Sequence, residues 1–258
     1  MNILMTIDVG NTNISLGLMQ GNEVIGSFRL TTKTPRTSDE FGLCIKELLD
    51  MTKLQDDDIG AVIISSVVPK IMYSLTSAIV KFLHKDPIIV GPGIKTGISI
   101  RTDNPREVGA DRIVDISMAY HTYHKSCIIV DFGTATTFDY ISGDGVFKYT
   151  VIAPGLGIVA NALTSQTAKL PEIEIQKPES ILNGNTITGM QAGVIYGYIG
   201  SVEYIIKQMK KELKLKDCLV IATGGLGKVI AKETKEIDLF DPDVAYKGMR
   251  ILYDLNKK

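Results

Sequence analysis

Two short segments place a carboxylate, a glycine and hydroxyl or amide side chains at the end of an apolar run. They are Ile7-Asp8-Val9-Gly10-Asn11-Thr12-Asn13 and Val130-Asp131-Phe132-Gly133-Thr134-Ala135-Thr136. Glycine lets backbone N–H groups crowd around an anion, and a nearby Asp can hold a metal ion or order its water shell. The combination suits a phosphate group. One Asp-x-Gly after a strand is common in ordinary hairpins, so the informative feature is that two copies stand in matched context. Each leads into a second strand, 14–19 or 137–141, then a turn at Gly21-Asn22 or Gly143-Asp144-Gly145, then a third strand. The two copies are expected to grip one nucleotide from opposite sides of a cleft. A third glycine turn, Thr223-Gly224-Gly225-Leu226-Gly227, follows the apolar run Cys218-Leu219-Val220-Ile221-Ala222. Bare backbone there suits a purine or its ribose.

Charge is dense at Asp103-Asn104-Pro105-Arg106-Glu107-Val108-Gly109-Ala110-Asp111-Arg112, which opens a helix. An Asp at a helix start is most often a cap or a dipole partner. Here Gly109 also permits close approach by a ligand, Asp111 can accept a hydroxyl proton, and Arg112 can pair bidentately with a carboxylate. An alcohol that carries a carboxylate is the expected acceptor. His121 and His124 sit three apart near the helix end, but no Cys or carboxylate follows at ligand spacing, so a metal pair is not expected. Asp139 lies on an alternating strand and either joins the cleft or faces solvent.

The elements that must position these residues are legible in periodicity. Thr37-Ser38-Asp39-Glu40 caps a helix whose apolar face is Phe41, Ile45, Leu48 and Leu49. A strand at 61–68 and a helix opened by Pro69, with Ile71, Leu75, Ile79 and Leu83 at helical spacing, precede a short strand at 87–90. The first half therefore reads βββαβαβ, followed by a polar loop at 94–107 and a helix at 108–120. The second half begins at Cys127 and runs through an irregular helix at 158–168 to a polar loop ending in Gly184-Asn185-Thr186. The helix expected at 188–213 carries Gly189, Gly193 and Gly197 four apart, with Gly200 one turn on. Glycine costs roughly 1 kcal/mol at each interior helical position, so the stripe calls for close approach of another backbone. That backbone is either the sheet of its own lobe or the same helix of a second subunit.

A chain of 258 residues with this repeat is expected to form two lobes, 1–125 and 126–258. A formal charge of −1 without a basic stripe argues against nucleic acid, and the lysines between 207 and 216 read as a solvated face. No apolar run is long enough to span a bilayer, and Met1 leads into a strand without a basic leader, so a cytoplasmic protein with no membrane partner is expected. Cys44, Cys127 and Cys218 are odd in number and set among apolar residues. All three are expected to be buried reduced thiols.

The order of strand, glycine turn and hairpin in each half, with a late Thr-Gly-Gly, resembles the duplicated α/β architecture of actin, hexokinase and acetate kinase. That architecture has two ribonuclease H-like lobes, each a mixed sheet with flanking helices, and a cleft between them. A more specific resemblance rests on Asp8-Val9-Gly10-Asn11-Thr12, Ser65-Ser66-Val67-Val68-Pro69, Gly91-Pro92-Gly93, the segment 103–112, Asp131-Phe132-Gly133-Thr134-Ala135-Thr136, Pro154-Gly155, Thr167-Ala168-Lys169-Leu170-Pro171, Asn185-Thr186 with Met190-Gln191-Ala192-Gly193, and Ala222-Thr223-Gly224-Gly225. In order and spacing these are similar to type III pantothenate kinase, with the match running from the first strand to Asn256.

The resemblance implies a phosphotransferase with an alcohol acceptor: ATP-dependent phosphorylation of pantothenate to 4'-phosphopantothenate, the first step of coenzyme A biosynthesis. It further implies Mg²⁺, a monovalent cation (K⁺ or NH₄⁺) and a homodimer. Carried over by position, Asp8, Val9, Gly10, Asn11, Thr12, Asn13, Ile14 and Ser15 form the phosphate-binding turn, with Asp8 near Mg²⁺. Thr134 touches the nucleotide and Asp131 binds the monovalent cation. Thr102, Gly109, Ala110, Asp111 and Arg112 line the pantothenate pocket with Asp111 as the base, and Thr186 reaches substrate from the dimer interface. Two positions depart from the family pattern: Thr102 replaces a substrate-contacting Tyr, and Tyr149-Thr150 replaces a Gly-Gly pair. They leave open a kinase of the same fold acting on another small hydroxyl compound. A non-catalytic ATP-binding regulatory protein is the further alternative, although a pure switch needs no acceptor base such as Asp111.

Overall fold

A strand buried on both faces has no polar alternation, and Ile3–Val9 (β1) is of this kind: every residue except Asp8 is buried. In the computed structural model, which describes residues 2–257, β1 is the centre of the first sheet. Asn13–Gln20 (β2) and Glu23–Thr31 (β3) extend it as antiparallel neighbours, with Gly21 at φ +61 in the tight turn between them. Ser38–Met51 (α1) starts on a capping box in which Thr37 and Glu40 satisfy each other's backbone N–H groups. Ile59–Ser66 (β4) returns parallel to β1, Pro69–Leu83 (α2) follows it, and Ile88–Ile89 (β5) closes the sheet in the order β3-β2-β1-β4-β5.

After Ser99–Ile100 (β6) and Ala110–Tyr123 (α3), the same plan recurs. Cys127–Phe132 (β7), Ala135–Ile141 (β8) and Val146–Pro154 (β9) form the antiparallel run. Leu156–Ser165 (α4) and Thr186–Glu212 (α5) lead to Leu219–Thr223 (β10), parallel to β7. Gly227–Ala231 (α6), Leu239–Phe240 (β11) and Val244–Asn256 (α7) complete the chain. The second sheet is ordered β11-β10-β7-β8-β9-β6, which is the first sheet's order with one added edge strand. The duplicated mixed α/β architecture is thus present in the pairing pattern itself.

One face of the first sheet, including Met5, Ile7, Val62 and Ile64, packs with Phe41 and Ile45 of α1 and Leu75 and Ile79 of α2. The opposite face, through Leu4, Met19 and Ile63, packs with Val114 of α3 and with Tyr246, Met249 and Leu252 of α7. In the second sheet Ile128, Val130, Phe138 and Val220 pack with α4, α5 and Ile230 of α6. Two compact units result. The first comprises the chain up to Ile98, Asp103–Thr122 and the chain from Asp243 on; the second comprises Ser99–Thr102 and Tyr123–Pro242. The last helix, expected with residues 126–258, therefore belongs with the first unit, because its apolar stripe is buried on β1, β2 and β4. Ser99–Thr102, expected before the boundary at 125, belongs with the second unit because β6 pairs with β9.

All three cysteines are free, but only Cys127 is fully buried. Cys44 sits one position off the buried line Phe41, Ile45, Leu49 of α1, and Cys218 just precedes β10; both are half-buried, which corrects the expectation of three core thiols. Burial pushes the Cys127 thiol up to about 12 and Cys218 to about 11, so neither is a thiolate at neutral pH. No helix among the described residues is long and apolar enough to cross a membrane.

The contact of α3 with α7 is tight enough to test this assignment. A Cβ on Gly248 would lie 2.3 Å from the Val114 carbonyl oxygen, a backbone atom. Gly248→Ala should therefore destabilise the protein by roughly 1–3 kcal/mol, as overpacking does. Urea unfolding measures this, and an unchanged midpoint would show that α7 does not pack there.

Candidate active site

The first glycine turn is held by the strands on both sides of it. In the turn, Gly10 N–H donates to the Asn13 carbonyl (3.0 Å), Thr32 Oγ1 donates to the Gly10 carbonyl (2.7 Å), and Thr32 N–H donates to Thr12 O (3.0 Å). Asn11, Thr12 and Asn13 stay exposed, so the crest of the turn is open to a ligand. Register puts Asp8 opposite Ser15 of β2 and Ser65 of β4, two hydroxyl-bearing residues. Tyr246 of α7 hydrogen-bonds Ser15, and its ring fills the space beside Gly17, where a Cβ would come within 2.6 Å of it. The sequence reading assigned no role to Ser65 or Tyr246. Ser65 was visible within a family motif, whereas Tyr246 carried no local signal.

Asp111 stands in the first turn of α3 and accepts the N–H of Arg112 at 2.8 Å. Gly109 lies close beside it, since a Cβ there would lie 2.4 Å from Asp111 Oδ1 and 3.3 Å from Val67 Cγ1 and would press on the carboxylate. Val67 follows β4 and donates its N–H to the Val9 carbonyl (3.0 Å), which ties the segment beside Gly109 to the end of β1. Asn104 supports the approach to α3 by accepting from Arg106 N–H (3.3 Å) and donating to Glu107 Oε1 (2.6 Å). The electrostatic consequence falls on Asp8. Burial, reinforced by the neighbouring Asp111 carboxylate and opposed by the Ser65 hydroxyl, pushes it from the ordinary 3.8 to about 7. The carboxylates of Asp8 and Asp111 therefore feel each other directly.

In the second unit the matching turn is built differently. Asp131 is register-paired with Thr137 of β8 and Thr223 of β10. Two glycines clear the space around its carboxylate: a Cβ on Gly224 would sit 2.6 Å from Oδ1, and one on Gly133 would sit 3.2 Å from Oδ2. Gly224 is also at φ +92, a conformation that excludes a side chain on energetic grounds. Gly133 and Thr134 are exposed at the crest. Asp139, left open between cleft and solvent, is buried, 2% exposed, on β8.

The two departures from the family pattern meet in this unit. Ile100 is paired with Phe147 and Arg101 N–H donates to the Phe147 carbonyl (2.8 Å), so Thr102 runs alongside Lys148 and Tyr149. The Tyr149 ring itself stacks on Tyr140 with centroids 6.5 Å apart and carries the Lys148 amine 5.0 Å above it. The Thr102 hydroxyl is buried without a hydrogen-bond partner. Thr186 begins α5 and is exposed, with Asn185 capping the helix through Thr188 N–H at 3.0 Å. His121 Nε2 lies 2.8 Å from the Thr96 carbonyl, which can only accept, so this ring holds the loop at Thr96 and Gly97.

The glycine stripe of α5 faces outward. Gly189, Gly193, Gly197 and Gly200 are exposed and a Cβ on any of them would meet nothing within 4 Å. Packing on the lobe's own sheet is therefore not their reason. Beside them runs an apolar cavity of about 250 Å³ that includes Phe138, Ala153, Val159 and Val194.

The Asp8 environment sets a sign for stability against pH. The native state holds the Asp8 proton up to about 7, whereas the unfolded chain releases it near 3.8. Stability is thus lost as pH rises through that window. Asp8→Asn should raise Tm at pH 8 in the absence of divalent ions by on the order of 5 °C, with the gain shrinking towards pH 4. Differential scanning calorimetry at the two pH values checks it; a Tm at pH 8 equal to or below that of the unmodified protein would refute the raised pKa.

Sequence comparison places this geometry among known proteins. The profile of the family described as type III pantothenate kinase matches residues 4–208. A type III pantothenate kinase of Agathobacter rectalis is 50% identical over 251 residues, covering 97% of this chain and 96% of the relative. One from Bifidobacterium longum is 49% identical over 256 residues, covering 99% and 100%. Among solved structures, a Sinorhizobium meliloti protein described as a 2-dehydro-3-deoxygalactonokinase superposes with a TM-score of 0.64 at 11% identity, over 98% of this chain and 97% of that one, which is a likeness of fold. Matched by this profile over most of its length and by such relatives over nearly all of it, the chain belongs to the type III pantothenate kinase family.

Proposed function

We propose that this protein transfers the γ-phosphoryl group of ATP to the terminal hydroxyl of pantothenate, giving 4'-phosphopantothenate and ADP. The observation that carries this reading is the coupling of Asp8 to Asp111, because it joins a phosphate-binding turn to a base at the head of the acceptor helix. The turn from Asp8 to Ser15 offers backbone N–H groups and hydroxyls to the phosphates. Gly109 and Ala110 let the acceptor approach, and Arg112 takes its carboxylate. Asp111 orients the hydroxyl and receives its proton as the new P–O bond forms and the β–γ bridging bond breaks. Phosphoryl transfer asks a protein chiefly for such positioning and for charge neutralisation.

Two carboxylates that repel each other in a buried setting fit a divalent cation held by Asp8, and an Mg²⁺ ion there would neutralise phosphate charge. The two-carboxylate set also agrees with Mg²⁺ chemistry, in which water and phosphate supply most ligands. Asp131, with its carboxylate cleared by Gly133 and Gly224, is the residue we assign to a monovalent cation, K⁺ or NH₄⁺, and Thr134 to the nucleotide. We also assign Thr102, whose buried hydroxyl has no hydrogen-bond partner, to substrate binding. The loss of an aromatic ring at that position weakens acceptor binding on the order of 1 kcal/mol, too little to change the reaction.

The open stripe of α5 supports a homodimer in which the helix meets its copy, with Thr186 at the helix start reaching the partner's acceptor pocket. Tyr204, 65% exposed, continues the same line of the helix and adds apolar area to it.

Asp111→Asn should lower kcat by roughly 100-fold or more while ATP binding survives, as expected for a positioned general base. ADP release with pantothenate as acceptor is the assay. Near-normal turnover of the variant when chemistry limits the rate would remove Asp111 as base, and phosphorylation of another alcohol but not of millimolar pantothenate would overturn the substrate.

Gly193→Leu should convert a dimer to a monomer, because helices in close contact leave no room for the larger side chain. Light scattering reads the mass directly; a monomeric active unmodified protein would eliminate both the interface and the shared role of Thr186.

A further inference from the structure

Tyr198 of α5 touches the chain on both sides of the second glycine turn and the end of β9 beside it. Its ring lies 6.3 Å from that of Phe132, the residue before Gly133, with an interplanar angle of 49°. Its hydroxyl is hydrogen-bonded to Thr136 Oγ1, just after the turn, and donates to the Pro154 carbonyl at 3.2 Å. Pro154 is joined to Gly155, whose missing side chain leaves room for the turn, since a Cβ there would lie 2.2 Å from the Thr134 carbonyl oxygen and 2.6 Å from that of Gly133. A phenol has one proton, and a carbonyl can only accept it, so Thr136 must donate to Tyr198 Oη. Both side chains are buried, Thr136 at 1% and Tyr198 at 7% exposure, where an unmade hydrogen bond is costly. Burial also holds the phenol above its ordinary range, so it keeps its proton at neutral pH.

We infer that Tyr198 is a positioning residue for ATP: it clamps the ends of β7, β8 and β9 so that Gly133 and Thr134 present a preformed turn to the nucleotide. The inference rests on the assignment of Thr134 to the nucleotide. Tyr198 does not itself reach the crest of the turn; it acts through Thr136 and Pro154. A loosened turn must be ordered on each binding event, which raises KM for ATP and leaves the acceptor site unaffected.

The test is steady-state kinetics of Tyr198→Phe, which keeps the ring and removes only the hydroxyl, beside Thr136→Val and Thr134→Val, with pantothenate as acceptor. Tyr198→Phe and Thr136→Val should each raise KM for ATP about five-fold, the scale of one hydrogen bond. KM for pantothenate should stay within about two-fold, and the double variant should be no worse than the poorer single one, as for partners in one bond. If Thr134→Val raises KM for ATP but Tyr198→Phe and Thr136→Val do not, the clamp is refuted while the nucleotide assignment stands. If both Michaelis constants rise together with a fall in Tm, the role is structural and the inference fails. If Thr134→Val leaves KM for ATP unchanged, the turn is not part of the nucleotide site and the positioning role falls with it.

Discussion

A charged carboxylate at the end of a buried strand, beside a second carboxylate, is unfavourable, and much of the first unit is arranged around that fact. Asp8 is fixed by β1, whose other residues are all buried and leave it no alternative register. Ser15 and Ser65 stand opposite it on the neighbouring strands, and Tyr246 packs beside Gly17 of β2 from the last helix. Asp111 comes from the head of α3, where Gly109 permits its approach. Each part is an ordinary packing or pairing contact. Together they hold two like charges where a cation and phosphates would relieve the repulsion.

Duplication of one scaffold did not produce two equal sites. Both sheets share one strand order, and both put an Asp one residue before the end of the central strand. What differs is the company of that Asp. Both stand opposite hydroxyl-bearing residues, Ser15 and Ser65 or Thr137 and Thr223, but Asp8 also feels the Asp111 carboxylate, whereas Gly133 and Gly224 clear space around Asp131. The first environment disfavours a lone negative charge; the second opens space around it, as a cation with several oxygen ligands needs. The divergence thus comes from Asp111 of α3 in the first unit and from Gly224, just after β10, in the second.

The long helix α5 serves two surfaces at once. Its inner line, Val194, Ile195, Tyr198, Val202 and Ile206, is buried in the core of the second unit. Its outer line of glycines is open, which in a monomer would only weaken the helix.

Much of this was legible in the sequence because it is local. Strand, turn and helix followed from periodicity, the Thr37–Glu40 cap from its spacing, and the duplicated architecture from two Asp-Gly turns each followed by a hairpin. Other features depended on partners distant in the chain. The destination of α7 was not readable, since an amphipathic stripe states that a face is buried but not which sheet buries it. Ser65 became a neighbour of Asp8 only through parallel pairing, whose register no turn sets. The burial of Asp139, the half-exposure of Cys44 and Cys218, and the outward direction of the α5 glycines were likewise decided by packing. The sequence by itself determined the residue types and the local shapes that carry them. Only the tertiary structure decided which charges lose their water together, because desolvation depends on everything that surrounds a group and not on its neighbours in the chain.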